Sequence, residues 1–573
     1  MAITWANILE WQTGPLDEIA QTLFEASQGL REAYEMGQDD LNAIQSEGEA
    51  VTAMRATTIS NLASLERALT NVNGALMAVE GARDGVGHIL AQVNDVVADA
   101  TTMQCEIKAD GSVHPMASAP KTDLVLIDAS ALAIRVKKIV EYADQVDTDL
   151  YHALADINND RYTDGDGANN EVAGVPDLPQ PNWSPSQNAA WWKSLTYEQQ
   201  QFLIDRRPDD IRHLDGLPAV VRDKANHHAL HGYLHADGKY RQGALKDAEE
   251  EAIEAQKEFD KAPLDGKRHL AKERLDRATE ALEDLIAIDT QTDDMTRRRK
   301  GLPPAYLLDF DYDKKYQRTT TIVSSGNPDT ATRVSTLVPG IGTNVRGDLG
   351  YYMDFNERLR KQTAHAGIDP NSVATISYLG YVAPKNSIPD GGIIQAADIG
   401  YANRAAPKLA QFEEGLRASA NANGHAFINT LLTHSYGSTT GGKSATIMAP
   451  GTVDRLILAG SPGGGVQSID EYSVPKEHIY VSAVPEGDSV EGLGAVIEYG
   501  KDPRKLEGIT HLSGDATDSA EYTPYPNRIF STANHMSYFH EGTRTSQDFA
   551  NIVAGGNPTT DEEWSAIETE RGK

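Results

Sequence analysis

Ala426-Phe427-Ile428-Asn429-Thr430-Leu431-Leu432, running into Thr433-His434-Ser435-Tyr436-Gly437, is the stretch whose reading decides the fold. The first seven residues are apolar or β-branched at most positions and predict a strand. The next five approach G-x-S-x-G, a pattern in which a serine sits on a sharp strand-to-helix turn with its hydroxyl exposed. Small residues two before and two after the serine let the chain turn without collision. The helix that follows aims its positive N-terminus at charge developing on a substrate oxygen. Thr433 stands where the first glycine belongs and weakens the motif. The plain alternative is a serine in an ordinary strand–loop–helix turn.

Working outward, short apolar strands alternate with helices. Strands are expected at Thr319–Ser324, Arg333–Val338, Val373–Leu379, Leu456–Ala459 and His478–Ala483, and helices at 403–421 and Thr439–Met448. That alternation predicts a largely parallel sheet covered on both faces. In an α/β-hydrolase sheet the acid and the histidine follow the serine in chain order. Beyond the strand at 478–483 comes Val484-Pro485-Glu486-Gly487-Asp488, where Asp488 is the first choice of acid and Glu486 the second. Its role would be to hold the tautomer of the histidine and stabilise imidazolium. His511, His535 and His540 follow, and His535 enters an aromatic pair, Tyr538-Phe539, that could anchor it. It would take the proton of Ser435 and return it to the leaving group. His434 adjoins the serine with its side chain expected to point away, a structural residue. For the oxyanion, Tyr436 supplies one backbone N–H, and Ile341 or Gly342 in Pro339-Gly340-Ile341-Gly342-Thr343 supplies the second.

A competing motif overlaps the turn. Gly437-Ser438-Thr439-Thr440-Gly441-Gly442-Lys443-Ser444 satisfies G-x-x-x-x-G-K-[ST], the phosphate-binding P-loop, with Lys443 on phosphates and Ser444 on magnesium. Two features oppose it. Such a loop usually opens its domain, yet several strands precede this one. No later strand ends in an aspartate for magnesium, since Leu456–Ala459 runs into Gly460-Ser461.

The rest of the chain is mostly helical. Leu16, Ile19, Leu23, Leu30 and Tyr34, then Leu62, Leu65, Leu69, Val72, Leu76 and Val79, recur at three- to four-residue steps on either side of a turn near Gly37–Asp40. Asp110-Gly111 centres a small hairpin. Another helix covers Leu124–Asp156. Asn, Asp, Gly and Pro dominate 158–188, a linker. Asp156, Asn158 and Asp160 alternate like calcium ligands, but the loop glycine and final glutamate are missing. Thr196–Gln199 has the form of a capping box. Two charged helical stretches, 243–262 and 267–288, form a helical hairpin insertion or arm. The expected organisation is a helical domain at 1–157, a linker at 158–188, a helical cap or arm region at 189–300, an α/β domain at 301–556 and a tail at 557–573.

In 573 residues, hydrophobic residues are 40% and charged residues 24%, ordinary values for globular protein, and the length implies several domains. The net charge of −32 repels phosphate backbones and anionic membranes, so nucleic-acid binding is not expected. One cysteine, Cys105, allows neither an internal disulfide nor a thiolate metal site. The histidines show no H-E-x-x-H pattern, and neither a metal nor a cofactor is expected. No apolar run reaches membrane-spanning length. Met1–Gly14 does not read as a cleavable signal peptide. The compartment stays open between the cytoplasm and export without such a peptide.

Several blocks together resemble the actinobacterial DUF1023 α/β-hydrolase family. Thr433–Ser438 stands where the family carries GHSYGS, and Val338–Thr343 is similar too. So are Tyr378-Leu379-Gly380-Tyr381, Gly460-Ser461-Pro462-Gly463, His535–Phe539, Trp191-Trp192 through Leu195, Leu214–Pro218 and Arg222–Asn226. The resemblance covers roughly 185–235 and 305–555. It implies an α/β-hydrolase fold and a Ser-Asp-His triad carried onto Ser435, Asp488 and His535. The N-terminal helices are similar to the helical-hairpin modules of type VII secretion proteins, although Ser46-Glu47-Gly48 keeps only the glycine of the Trp-x-Gly turn. The expected function is a serine hydrolase, esterase- or lipase-like, working through an acyl-enzyme on a small-molecule or lipid ester, or on an amide. The alternatives are a weak or inactive hydrolase fold that binds a protein partner through the N-terminal helices, and a P-loop NTPase.

Overall fold

The structure is a computed structural model that describes residues 3–43, 46, 48–120, 123–158, 178–263, 266–385, 398–484, 488, 499–514 and 535–570. The chain divides into two compact units, Met1–Phe202 and Leu203–Lys573.

In the N-terminal unit, helix Glu49–Thr102 packs against helix Gly14–Ala43 and helix Asp123–Asn158. The turn expected near Gly37–Asp40 is absent. The first helix runs on to Ala43, and the second begins after Gly48, whose φ of 140° only glycine adopts readily. A glycine inside a helix costs about 1 kcal/mol, which side-chain packing along a long helix outweighs. The stretch Val93–Asp99 continues the second helix, so that it reaches 54 residues. Trp5, Ile8, Ile89, Val96, Leu132, Val136 and Ile139 form one apolar core. Strands β1 (Cys105–Ile107) and β2 (Val113–Pro115) pair around Asp110-Gly111, with Gly111 at φ 82°. The expected capping box closes at Thr196, where its Oγ1 and the Gln199 side chain each accept the other residue's N–H. Among the described residues no helix is long and apolar enough to cross a membrane.

The C-terminal unit opens with helices and a hairpin that sequence reading passed over, β3 (Gly232–Leu234) and β4 (Tyr240–Gln242), around Gly238 at φ 76°. The arm follows as helices Ala244–Lys261 and Gly266–Thr292. Phe259 stacks under the Arg268 guanidinium at 4.4 Å, while Leu285 and Ile288 anchor the other end in the core.

Eight strands make the sheet: β5 (Ala305–Asp313), β6 (Arg318–Ser325), β7 (Arg333–Val338), β8 (Val373–Leu379), β9 (Ile428–His434), β10 (Arg455–Ala459), β11 (Ile479–Ser482) and β12 (Thr510–His511). Their order is β12-β11-β10-β9-β7-β8-β6-β5. β6 runs antiparallel to both of its neighbours, and every other pairing is parallel. Parallel strands are buried on both faces, and the side chains show it. Leu431, Leu456, Leu458, Ile376 and Val334 join the core under helices Gly400–Ala422 and Tyr436–Ala445. Leu432, Ile457, Ala459, Leu379 and Leu337 join the opposite core, with helices Val345–Gln362 and Arg544–Val553. Alternate residues of one strand therefore enter different cores.

The edge strand β5 does not present a bare backbone. The Asp223 carboxylate accepts the Leu307 N–H at 2.7 Å, and Asn226 donates to the carbonyls of Leu307 and Leu308 at 3.1 and 3.0 Å. Arg212 donates to the Phe310 carbonyl at 2.8 Å. Side chains thus occupy positions where another strand would otherwise pair. At the C-terminus, a helix, Asp561–Glu570, forms in the stretch read as a tail.

Candidate active site

β9 ends at His434 and the next helix starts at Tyr436, leaving Ser435 alone between them at φ 58° and ψ −132°. An L-residue avoids this region, and holding one there costs about 1–3 kcal/mol. Its surroundings impose the turn. The Ser435 N–H is donated to the Ala459 carbonyl at the end of β10, at 3.0 Å. Gly437 lies so close to β7 that a Cβ would stand 2.3 Å from the Val338 oxygen and 2.5 Å from the Pro339 oxygen.

Thr433, the departure from the glycine pattern, has a partner that explains it. Its hydroxyl donates to the Ile457 carbonyl at 2.7 Å. Its Cγ2 occupies space that exists only because residue 441 is glycine, where a Cβ would lie 2.4 Å away. The small residue that the turn needs has moved from the strand into the helix.

The P-loop reading is corrected here. Residues 437–444 lie inside helix Tyr436–Ala445, so their N–H groups do not wrap a phosphate. Gly442 serves close packing, since a Cβ would stand 2.0 Å from the Gly464 oxygen. Lys443 lies in the last turn of the helix, far along it from the N-terminus where an anion would bind.

Because β7 pairs with β9 and Val338 lies opposite Thr433, the loop after β7 abuts the serine. A Cβ on Gly340 would stand 2.4 Å from Ser435 Cβ and 2.7 Å from its Oγ. Hydrogen bonds brace the loop. Tyr381 donates to the Pro339 carbonyl at 2.5 Å, and Thr343 Oγ1 to the Gly340 carbonyl at 2.9 Å. Arg318, at the start of β6, donates to the carbonyls of Thr343 and Ala383 at 2.7 and 2.8 Å, tying the loops after β7 and β8 together. The Gly342 N–H is donated to the Pro384 carbonyl at 2.7 Å. Gly342 is thus already committed as a donor, and Ile341 is the remaining one of the two oxyanion candidates. Tyr436 contributes a backbone N–H in the first helical turn, where no intrahelical acceptor exists. Its phenol is occupied elsewhere, donating to the Asp398 carbonyl at 2.6 Å and accepting the Ala402 N–H at 3.1 Å.

Asp488 and His535 come together from the far loops. His535 Nδ1 lies 2.8 Å from Asp488 Oδ1, and the carboxylate is fully buried. A carboxylate only accepts, so Nδ1 donates in this bond and Nε2 is the other ring nitrogen. That Nε2 is buried and has no hydrogen-bond partner among the described residues. Gly460, the residue after Ala459 in β10, faces this pair. A Cβ there would stand 3.0 Å from Asp488 Oδ2 and 3.1 Å from His535 Cε1. The Asp488–His535 pair therefore meets the end of β10 beside Ser435. Of the other histidines, His511 lies on β12 with an exposed side chain, and His540 follows the turn Ser537–Phe539. Glu486, the second choice of acid, lies outside the described residues.

Two residues support this pair. Tyr538 donates to Asp488 Oδ2 at 2.9 Å, and its oxygen accepts the Val484 N–H at 3.0 Å. His434 Nε2 lies 2.8 Å from the His535 carbonyl, to which it donates. Burial, followed by the neighbouring His535 ring, pushes His434 down to about 3, so it is neutral at physiological pH. His434 thus fills the structural place expected of it, through a bond that sequence reading did not foresee. The support from Arg318 carried no such signal, whereas Tyr538 belongs to the aromatic pair expected to anchor His535, and what the sequence did not show is its bond to Asp488.

A cavity of about 20 Å³ lined by Leu217, Arg222, Asp329, Phe412 and Phe427 contains none of these residues. Among the described residues no group of three or more His, Cys, Asp or Glu is arranged to hold a metal ion.

Comparison with known proteins agrees with the fold. Two Mycobacterium tuberculosis proteins, "Uncharacterized protein MT2140" of strain CDC 1551 and "Uncharacterized protein Rv2079" of strain H37Rv, are each 24% identical over 597 residues. The alignment covers 94% of this chain and 82% of theirs. No solved structure matches. Residues 314–498 match the alpha/beta hydrolase family model. With the strand order and the serine turn after β9, this match identifies an alpha/beta hydrolase domain within the C-terminal unit.

Proposed function

We propose that this domain is a serine hydrolase of ester bonds, with Ser435 as nucleophile, His535 as general base and Asp488 as the acid that orients it. The supporting observation is the meeting of a strained Ser435 and a buried Asp488–His535 pair at the same end of the sheet. In this reading Ser435 Oγ attacks the ester carbonyl and its proton passes to His535 Nε2. The oxyanion is met by the N–H groups of Tyr436 and Ile341. The C–O bond to the alcohol breaks as His535 returns the proton to the leaving oxygen. Water then repeats the sequence on the acyl-enzyme, with His535 as base, and frees Ser435. Hydrolysis of a panel of p-nitrophenyl esters by the full chain tests this. Turnover by wild type that falls by at least about 10³-fold in Ser435→Ala supports it, and equal turnover in both refutes it.

The packing of helix Gly14–Ala43 against helix Glu49–Thr102, with Gly48 at φ 140° before the second, supports a second reading for that unit alone. In it, the hairpin is a partner-binding module of the type VII secretion kind, as the resemblance implies. Retention of all tagged protein inside cells that secrete by that route would exclude export.

A further inference from the structure

Tyr538 stands outside the proposed chemistry yet touches its acid. The segment Ser537–Phe539 forms a short 3-10 turn separated by one residue from His535, which places Tyr538 three residues beyond the base. Its ring is fully buried. The Val484 N–H, just past the end of β11, is donated to the phenol oxygen at 3.0 Å. The phenol proton goes to Asp488 Oδ2 at 2.9 Å, while Asp488 Oδ1 faces His535 Nδ1 at 2.8 Å. One hydroxyl therefore links the backbone at the end of β11 to the acid, and the same chain segment carries the histidine. The His434 ring lies 5.6 Å from the Tyr538 ring and 4.5 Å from that of His535, closing the group from the β9 side.

We propose that Tyr538 is a positioning residue for the reaction. It fixes Asp488 against His535 and, by donating to the second carboxylate oxygen, limits how strongly the acid raises the proton affinity of His535. This inference rests on the serine-hydrolase reading given above. A hydrogen bond to an ionised group is stronger than one between neutral groups, and a buried carboxylate depends on such donors. Without the phenol proton, the negative charge of Asp488 falls more fully on the imidazole, which then holds its own proton more tightly.

The test is Tyr538→Phe, which removes one oxygen and keeps the buried ring. The second-order rate of fluorophosphonate labelling of the full chain is followed across pH, beside wild type and Ser435→Ala. Loss of one charge-assisted bond predicts labelling about tenfold slower near neutral pH. The acid limb of the profile should move up by about half to one pH unit. An NMR titration of isotope-labelled histidine, independent of reactivity, should show the same upward shift for His535. An unchanged His535 titration overturns the inference, as does slower labelling with the acid limb unmoved, which lost packing alone would give. If wild type takes no label while the His535 shift appears, the positioning role stands and the serine reading falls.

Discussion

On the serine side of the site, backbone shape does the positioning. Ser435 is held at φ 58° between β9 and its helix, and Gly340, Gly437 and Gly441 permit approaches that a single methyl group would block. On the acid–histidine side, side-chain hydrogen bonds do it. Asp488 is gripped by Tyr538, and His535 is bonded through Nδ1 to that acid and through its carbonyl to His434. The serine side should therefore fail on added volume, and the other side on lost donors or altered protonation.

The largest effect separating the two concerns Gly437. Gly437→Ala forces a Cβ against the backbone oxygens of Val338 and Pro339, which cannot swing away like a side chain. Denaturant unfolding should show a loss of about 3 kcal/mol. A loss below 0.5 kcal/mol would mean that the turn is not shaped by this contact.

The partnership of Thr433 with Gly441 sharpens the same side. Gly441→Ala alone should destabilise by about 2 kcal/mol, because its Cβ meets the Thr433 methyl group. Thr433→Ser removes that methyl and keeps the hydroxyl bonded to Ile457. In the double variant most of the loss should disappear, a coupling of about 1–2 kcal/mol. Simple additivity in the cycle would break the explanation given for the missing glycine.

On the hydrogen-bonded side, His434 carries a pH signature. Its folded-state value near 3 lies below that of an unfolded histidine, so between them the unfolded chain binds more protons. Stability from this group is present above about pH 6.5 and is lost as pH falls toward 3. His434→Gln keeps a donor for the His535 carbonyl and removes the titration. Between pH 7 and 5, wild type should lose about 2 kcal/mol more than this variant. Parallel pH–stability curves would contradict it. The smallest effect returns to the serine. Ser435→Gly relieves the strained φ and should raise stability by about 1 kcal/mol while abolishing activity. A lower stability would show that Ser435 is not strained in place.

The same contrast explains what could be read in the sequence. β8, β9 and β10 are rich in apolar and β-branched residues, and Ser435 follows β9 with small residues on its far side, a pattern carried by local order. β5 escaped because Asp309, Asp311 and Asp313 are of a residue type disfavoured in strands, and the partners that satisfy its edge, Asp223 and Asn226, come from a distant helix. Helix Val345–Gln362 escaped because charged and polar residues interrupt its apolar face. Asp488 and His535 could be proposed from chain order, but their bond joins residues 47 apart. The commitment of the Gly342 N–H to Pro384 is likewise a tertiary contact with no local signature. Thr433 looked like damage to the motif because its compensation sits eight residues on, at Gly441, on the facing side of the turn.

The central claim, an activated Ser435, is tested most directly by intact-mass spectrometry after incubation with a fluorophosphonate. Attack by Ser435 Oγ expels fluoride and leaves one phosphonyl group on the protein. The account predicts a single adduct on wild type, none on Ser435→Ala, and slow labelling of His535→Ala. Folded wild-type protein that takes no adduct, or an adduct that persists in Ser435→Ala, would contradict it.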